Sequence, residues 1–318
     1  MQTPETFQLF WHGRPLPLLQ WACLKSFVDM GHKVNLYAYD EIEVPRGVEC
    51  LSADSIVPRS EIFYFDNNNN NIPTDISPFS DFFRFRLLLE KGGWYIDTDV
   101  ICNTQRFPEG DFAWAQELPE MAPQKVGTSQ IKFPPADPIV RRLYEECNSL
   151  KETFTIREQL GPHLISRVLA DYALPSSHFG SADSFYPLRW IETYKLWLPS
   201  YRDEVVESCK GALFINCYNS LFSYMGLSTS GLPPKGSYLM DLYASACPER
   251  LAGKLLTEGE VVGLAHDFFK DKDWAIQELL TVGGDEDLGR INVDKGSIVA
   301  FELPTSSSVS SSTDAVAV

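Results

Sequence analysis

The sequence predicts an α/β protein, and three observations in its first forty residues carry that reading. Residues 7–11 form a short apolar run, residues 15–30 place apolar side chains at three- and four-residue spacing, and residues 34–39 form a second strand-like run. Together they read as a β-α-β opening. Gly31 stands where a helix C-terminus favours glycine, directly before the second strand. A chain of 318 residues exceeds the usual single domain, yet an α/β protein with one large sheet occupies that length as one unit. With 44% hydrophobic and 22% charged residues the chain can bury a sizeable core.

The later elements follow in order. Residues 48–57 fit a further short strand and its connection. Five consecutive asparagines at 67–71 cannot pack and read as a surface loop. Ser80 reads as an N-cap, Asp81 suits the positive end of a helix dipole, and residues 82–91 are helix formers that Gly92-Gly93 stops. Trp94-Tyr95-Ile96 then reads as a buried strand. Residues 138–150 and 162–172 each begin with proline and continue with helical periodicity. A strand over 212–217 follows Gly211, and 238–247 is helical again. From residue 304 onward Ser and small residues predict a disordered tail. No internal repeat is present.

The charge balance excludes one class of partner. Lys and Arg total 27 against 43 Asp and Glu, a net charge of −16, so the overall field repels nucleic-acid backbones. An anionic ligand must then be received by a bound cation and a few placed arginines rather than by bulk charge. Seven cysteines show neither C-x-x-C nor zinc-ligand spacing and read as buried thiols in a reducing compartment. The first residues carry no basic and apolar leader, and no run of about 18 apolar residues occurs. A cytoplasmic location is the expectation, with peripheral membrane association left open.

Asp97-Thr98-Asp99 sits at the end of a short strand, where open α/β sheets bind ligands. Two carboxylates one residue apart can both approach a hard divalent cation that keeps positions free for phosphates. The bare tripeptide is more often a solvated turn. Its context is longer: Ser80-Asp81-Phe82-Phe83-Arg84-Phe85-Arg86, three leucines, Glu90-Lys91-Gly92-Gly93, then Trp94-Tyr95-Ile96-Asp97-Thr98-Asp99. Residues three apart share a helix face, so Asp81 and Arg84 can point together toward the strand end; an ordinary surface ion pair is the competing reading.

This pattern resembles the DXD-containing sugar-transferase family of fungal mannosyltransferases, bacterial capsule enzymes and α1,4-galactosyltransferases, and more distantly the large clostridial glucosylating toxins. The resemblance extends to Phe10-Trp11-His12-Gly13, to Gly161-Pro162 and to residues 212–248. It implies a GT-A type fold, a Rossmann-like mixed sheet flanked by helices. The expected layout is a catalytic domain over 1–248, an extension packed on it over 249–303, and the tail over 304–318. It implies Mn2+ or Mg2+ held by Asp97 and Asp99, and a nucleotide-diphosphate sugar, UDP-linked by preference, bound with Thr98 alongside them. Asp81 and Arg84 would hold the donor's hydroxyls and diphosphate, making Asp81, Arg84 and Asp97 the reacting centre. Trp11 corresponds to a tryptophan that stacks on the donor base, core packing being the alternative. The implied reaction is a retaining hexose transfer to a hydroxyl of a glycan or another acceptor, as in polysaccharide biosynthesis.

One departure falls on the acceptor side. Asn216 and Tyr218 stand where the α1,4-transferases show His and Trp, while Asn219 matches. Asn216 retains an amide for a metal or phosphate but no proton chemistry. His266-Asp267 reads as structural among apolar neighbours, and Lys235-Gly236 as a substrate-covering loop or an ordinary turn. Two other readings stand beside the transferase. A haloacid-dehalogenase-like phosphohydrolase would use Asp97 as nucleophile and Asp99 as acid, with Asp285-Glu286-Asp287 as its later acidic motif. A non-catalytic nucleotide-sugar-binding protein on the same fold is the other.

Overall fold

The computed structural model describes residues 4–65, 75–118, 122–172 and 180–269. The asparagine run at 67–71, the acidic triplet at 285–287 and the tail from 304 lie outside the described residues. In chain order the elements are β1 (Thr6–Trp11), α1 (Leu18–Asp29), β2 (Lys33–Ala38), β3 (Val48–Ser52), α2 (Ser77–Lys91), β4 (Gly93–Ile96) and β5 (Val100–Cys102). They continue with β6 (Gln116–Leu118), β7 (Ala122–Val126), β8 (Gln130–Phe133), α3 (Pro138–Leu150), α4 (Pro162–Ala170) and α5 (Ala182–Phe185). After these come α6 (Arg202–Ser208), β9 (Phe214–Asn216), α7 (Asn219–Tyr224), α8 (Leu227–Ser230), α9 (Tyr238–Ala246) and α10 (Glu258–Phe269).

The expected α/β architecture is present. The central sheet runs in the order β3-β2-β1-β4-β8, parallel through its first four strands and closed by antiparallel β8. Strands buried on both faces send alternate side chains to opposite layers. Along β4, Trp94 and Ile96 enter the layer built on α1, with Phe7, Leu9 and Phe214. Tyr95 enters the opposite layer, with Phe79, Phe82 and Phe83 of α2. Gly92 and Gly93 make this sharp helix-to-strand passage. Gly92 has φ +61° and ψ −165°, and a Cβ there would lie 2.4 Å from the Pro135 nitrogen.

Several boundaries differ from the sequence expectation. Helix α1 begins at Leu18 rather than at residue 15, because Pro17 is held extended as its N-cap and accepts the first helical bond from the Trp21 N–H at 2.9 Å. Helix α2 begins at Ser77, so Ser80 lies inside it and its hydroxyl meets the Tyr95 hydroxyl at 3.1 Å. Asp75 does the capping instead, accepting from the Ser77 N–H at 2.8 Å and from its hydroxyl at 2.6 Å. The strand expected over 212–217 is only β9, and it pairs with β5 in a separate ribbon. Strands β6, β7 and β8 have no counterpart in the sequence reading.

The cysteines are all free; six are buried, but Cys50 is exposed. His266 is exposed too, with Nδ1 3.9 Å from Asp267 Oδ1, because Val261, Ala265 and Phe269 take the buried stripe of α10. The segment around Lys235 is the turn that starts α9, where the Ser237 side chain caps the Met240 N–H at 3.2 Å. Among the described residues no helix is long and apolar enough to cross a membrane.

Replacing Gly92 by alanine combines a backbone conformation that L-residues avoid with a clash against Pro135. The Gly92→Ala protein is expected to lose about 2–4 kcal/mol of unfolding free energy in urea titration. A loss below about 0.5 kcal/mol would show that this passage tolerates a side chain.

Candidate functional site

The acidic pair lies in a tight turn that carries the chain from the central sheet to the β5–β9 ribbon. Two outside segments hold it. The Asp97 N–H donates to the Ser129 carbonyl at 2.8 Å, and the Asp99 carbonyl accepts from the Cys217 N–H at 2.9 Å. The Asp99 carboxylate accepts from the Asn219 N–H at 2.7 Å. That last bond depends on Tyr218, which adopts a left-handed conformation (φ 49°, ψ 60°) at the start of α7. Asn216 supports the turn: its Oδ1 accepts from the Tyr218 N–H at 3.0 Å and its Nδ2 donates to the Ser129 hydroxyl at 2.8 Å. Both amide atoms are therefore engaged within the chain. Asn216 builds the site's wall rather than offering an open ligand.

Arg84 joins the helix to the strand end. Its Nη1 donates to Asp81 at 2.6 Å and its Nη2 to Asp97 at 2.7 Å, while its guanidinium lies over the Tyr95 ring at 4.7 Å. The i,i+3 pair foreseen on α2 is thus buried, with Arg84 3% and Asp81 6% exposed, so the surface ion-pair reading does not hold. Gly161 backs onto Asp81 so closely that a Cβ would sit 2.2 Å from the carboxylate oxygen. Asp97 keeps 28% of its side chain in contact with solvent.

Three carboxylates gather near this guanidinium, and burial is the first cause that raises their pKa, with Arg84 and, for Asp81 and Asp97, Arg157 acting against it. Burial, partly offset by Arg84, pushes Asp81 up to about 6. Burial and the Asp97 charge push Asp99 up to about 6, and burial raises Asp97 as well. Arg84 is driven upward, since Asp97 and Asp81 outweigh the burial that acts against its charge.

Trp11, Asp81, Arg84, Asp97, Thr98 and Asp99 all line one cleft of about 820 Å³. That is the size of ordinary cofactor and ligand sites. Trp11 stands at the end of β1, partly exposed, with its indole N–H donating to the Gly13 carbonyl at 3.0 Å. Lys235 and His266 are not among the residues that line it.

The sequence reading missed the far wall. Arg157 bonds Asp75 through Nε and the Ser77 hydroxyl through Nη2 at 2.9 Å, and Lys125 pairs with Glu158 at 3.1 Å and Glu117 at 3.3 Å. The available signals were slight: Asp75 two residues before Ser77-Pro78, and Arg157-Glu158 just upstream of Gly161-Pro162.

Among the described residues no group of three or more His, Cys, Asp or Glu is assembled for a metal. Asp97 and Asp99 are a two-carboxylate oxygen set, the number that magnesium-type ions take when water and substrate phosphates complete the shell. The excess of negative charge around Arg84 fits a cation at this place.

The family described as glycosyltransferase sugar-binding region containing DXD motif matches residues 43–116. The match spans α2, the Gly92-Gly93 passage and the acidic turn. The comparison with curated proteins gave no match. Among solved structures, PaToxG glycosyltransferase is 13% identical with a TM-score of 0.40, over 52% of this chain and 68% of its own. The glycosyltransferase GlyE of Streptococcus pneumoniae TIGR4, in its apo form, is 11% identical with a TM-score of 0.40, over 85% of this chain and 64% of its own. A second structure of GlyE is 10% identical with a TM-score of 0.38 and the same coverage. The chain thus spans less than two thirds of GlyE's length, and likenesses this distant establish nothing about its chemistry.

Removing the guanidinium leaves its carboxylates buried without a counter-charge. Arg84→Met is expected to cost about 3–5 kcal/mol at pH 7 by urea unfolding. The cost shrinks at pH 5, where the unpaired acids take up protons. An equal cost at both values would exclude the charge explanation.

Proposed function

We propose that this chain, whose residues 43–116 carry the DXD sugar-transferase region, is a divalent-metal-dependent glycosyltransferase that moves a hexose from a nucleotide diphosphate to an acceptor hydroxyl. The carrying observation is the fork of Arg84 between Asp81 and Asp97, which line the 820 Å³ cleft together with Asp99. The match falls on the transferase side of the choice that the motif alone leaves open.

In this reading Asp97 and Asp99 hold Mn2+ or Mg2+, which when bound neutralises charge growing on the departing diphosphate. Arg84 orients Asp97 and opposes the burial that disfavours its charge, and its aromatic support from Tyr95 fixes the guanidinium in place. Asp81, directed by the same guanidinium and pressed by Gly161, is placed to accept from a sugar hydroxyl. Trp11 offers a face for the base, and Thr98 lies between the two carboxylates. Rigidly placed charges of this kind accelerate transfer by stabilising the transition state without reorganisation. A UDP-hexose is the favoured donor, retention the favoured outcome, and a glycan hydroxyl the favoured acceptor.

Binding to the folded state raises stability by mass action, by about 2.7 kcal/mol at about 100 times Kd. Mn2+ with UDP-hexoses is expected to raise Tm, and Asp99→Asn to abolish the metal-dependent part. GDP-mannose serves as the competing donor. The same panel is read for nucleotide release, which Asp97→Asn is expected to lower by about 100-fold or more. Unchanged release in both variants would overturn the assignment.

The pH dependence has a definite sign. Asp81 and Asp99 are raised to about 6 from 3.8, so without a cation their charging disfavours the folded state increasingly between about pH 4 and pH 6. A cation competes with those protons. The Mn2+-induced rise in Tm is therefore expected to grow as pH increases through about 6 and then level off. A rise that shrinks over that range would count against metal binding by this pair.

A further inference from the structure

Among the described residues, six carboxylates line the donor cleft against two arginines, Arg84 and Arg157, and one histidine, His12. A nucleotide diphosphate is an anion, so in such a cleft the fixed positive charges decide where it can lie. Arg84 is already committed. Its Nη1 and Nη2 donate to Asp81 and Asp97, its Nε is buried without a partner, and the residue is 3% exposed. It steers carboxylates and leaves a phosphate almost nothing to touch. Burial, and after it the Arg59 charge, lowers the His12 imidazole, which is therefore mostly neutral at pH 7. Lys125 is not among the lining residues and pairs with Glu117 and Glu158.

Arg157 differs from all of these. Its Nε is tied to Asp75 and its Nη2 donates to the Ser77 hydroxyl at 2.9 Å, which anchors it to the start of α2. Its Nη1 has no hydrogen-bond partner among the described residues and is not one of the atoms that burial seals off; the side chain is 34% exposed. The guanidinium is thus fixed along one edge and open along the other. An arginine held in this way meets a phosphate with little further loss of freedom. It also stands within electrostatic reach of the acidic turn: burial raises Asp81 and Asp97, Arg84 opposes that rise, and Arg157 is a further charge that lowers both.

We propose that Arg157 is the cation of this cleft that binds the donor's diphosphate, with Nη1 donating to a phosphate oxygen. The contact expected of Arg84 passes to a residue outside the recognised region at 43–116. Asp75 and Ser77 act through Arg157 as positioning residues. The place of this contact in the reaction rests on the transferase reading; the binding of the anion does not.

The test is titration calorimetry of inorganic pyrophosphate, UDP and GDP, each with Mn2+, on the full chain and without any sugar donor. Arg157→Gln removes the charge, and Arg157→Lys keeps a charge that can pair with Asp75 but loses the planar fork. Asp75→Asn loosens the same anchor while leaving the guanidinium, and its amide oxygen can still cap α2. Arg157→Gln is expected to raise the pyrophosphate Kd by about tenfold or more, Arg157→Lys by about threefold or more, and Asp75→Asn by no more than about twofold. Equal binding by the parent and both Arg157 variants overturns the proposal. An equal loss in Asp75→Asn overturns it too, because Arg157 is then a structural clamp, and so does a parent chain that binds none of the three anions. If affinity follows Arg157 but no sugar nucleotide releases its nucleoside diphosphate, the transferase reading alone fails, since no donor enters the titration.

Discussion

The site depends on the double engagement of Arg84. A guanidinium is the one side chain that can present two parallel pairs of donors while staying charged in a buried setting. Here it ties a helix carboxylate, Asp81, to a strand-end carboxylate, Asp97. Helix α2 and strand β4 are thereby fixed to each other at the point where the chain leaves the sheet. The Gly92-Gly93 passage makes this geometry reachable, because only a residue without Cβ can pass Pro135 and return the chain from α2 directly into β4. Packing reinforces the same relation: the apolar residues between Arg84 and Gly92 are buried against the sheet, and Tyr95 supports the guanidinium from beneath.

Desolvation is the counterweight. Asp81, Asp97 and Asp99 would each be easier to charge in water, and the nearby charges of Arg84 and Arg157 do not offset the burial. On the far wall Lys125 and Arg157 offset two of the three carboxylates of Glu117, Glu158 and Asp75, and each of those carboxylates is directly paired. The Asp99 carboxylate, by contrast, is held only by the Asn219 backbone N–H among the described residues. Acids perturbed by burial and by one another, gathered in one cleft, make this the candidate place for a ligand.

Much of this was legible in the sequence, for identifiable reasons. The β-α-β opening and the helices at 138 and 162 were visible because prolines and apolar spacing mark them locally. Asp81, Arg84, Asp97, Thr98 and Asp99 were visible because a short helix and a short strand place them within nineteen consecutive residues. What stayed hidden depends on contacts between distant segments. Strand β8 is defined by its pairing with β4, not by its own pattern, and Arg157 reaches the cleft only through the fold. Asn216 was identified as a departure, but its purpose emerges only from its bonds to Ser129 and to the Tyr218 backbone. The early start of α2 was missed because Asp75 caps from two residues before Ser77, where Ser80 is the more conventional signal.

The turn at residues 97–99 is held from outside its own segment, by Ser129, Cys217 and Asn219, with Gly161 pressed against Asp81. The conspicuous motif is therefore not a module. Excised or grafted onto another sheet, the stretch from 43 to 116 would keep its acidic side chains and lose the backbone anchors that aim them. The recognisable part of this chain and the part that holds the turn in place differ in extent, and the second reaches at least a hundred residues further.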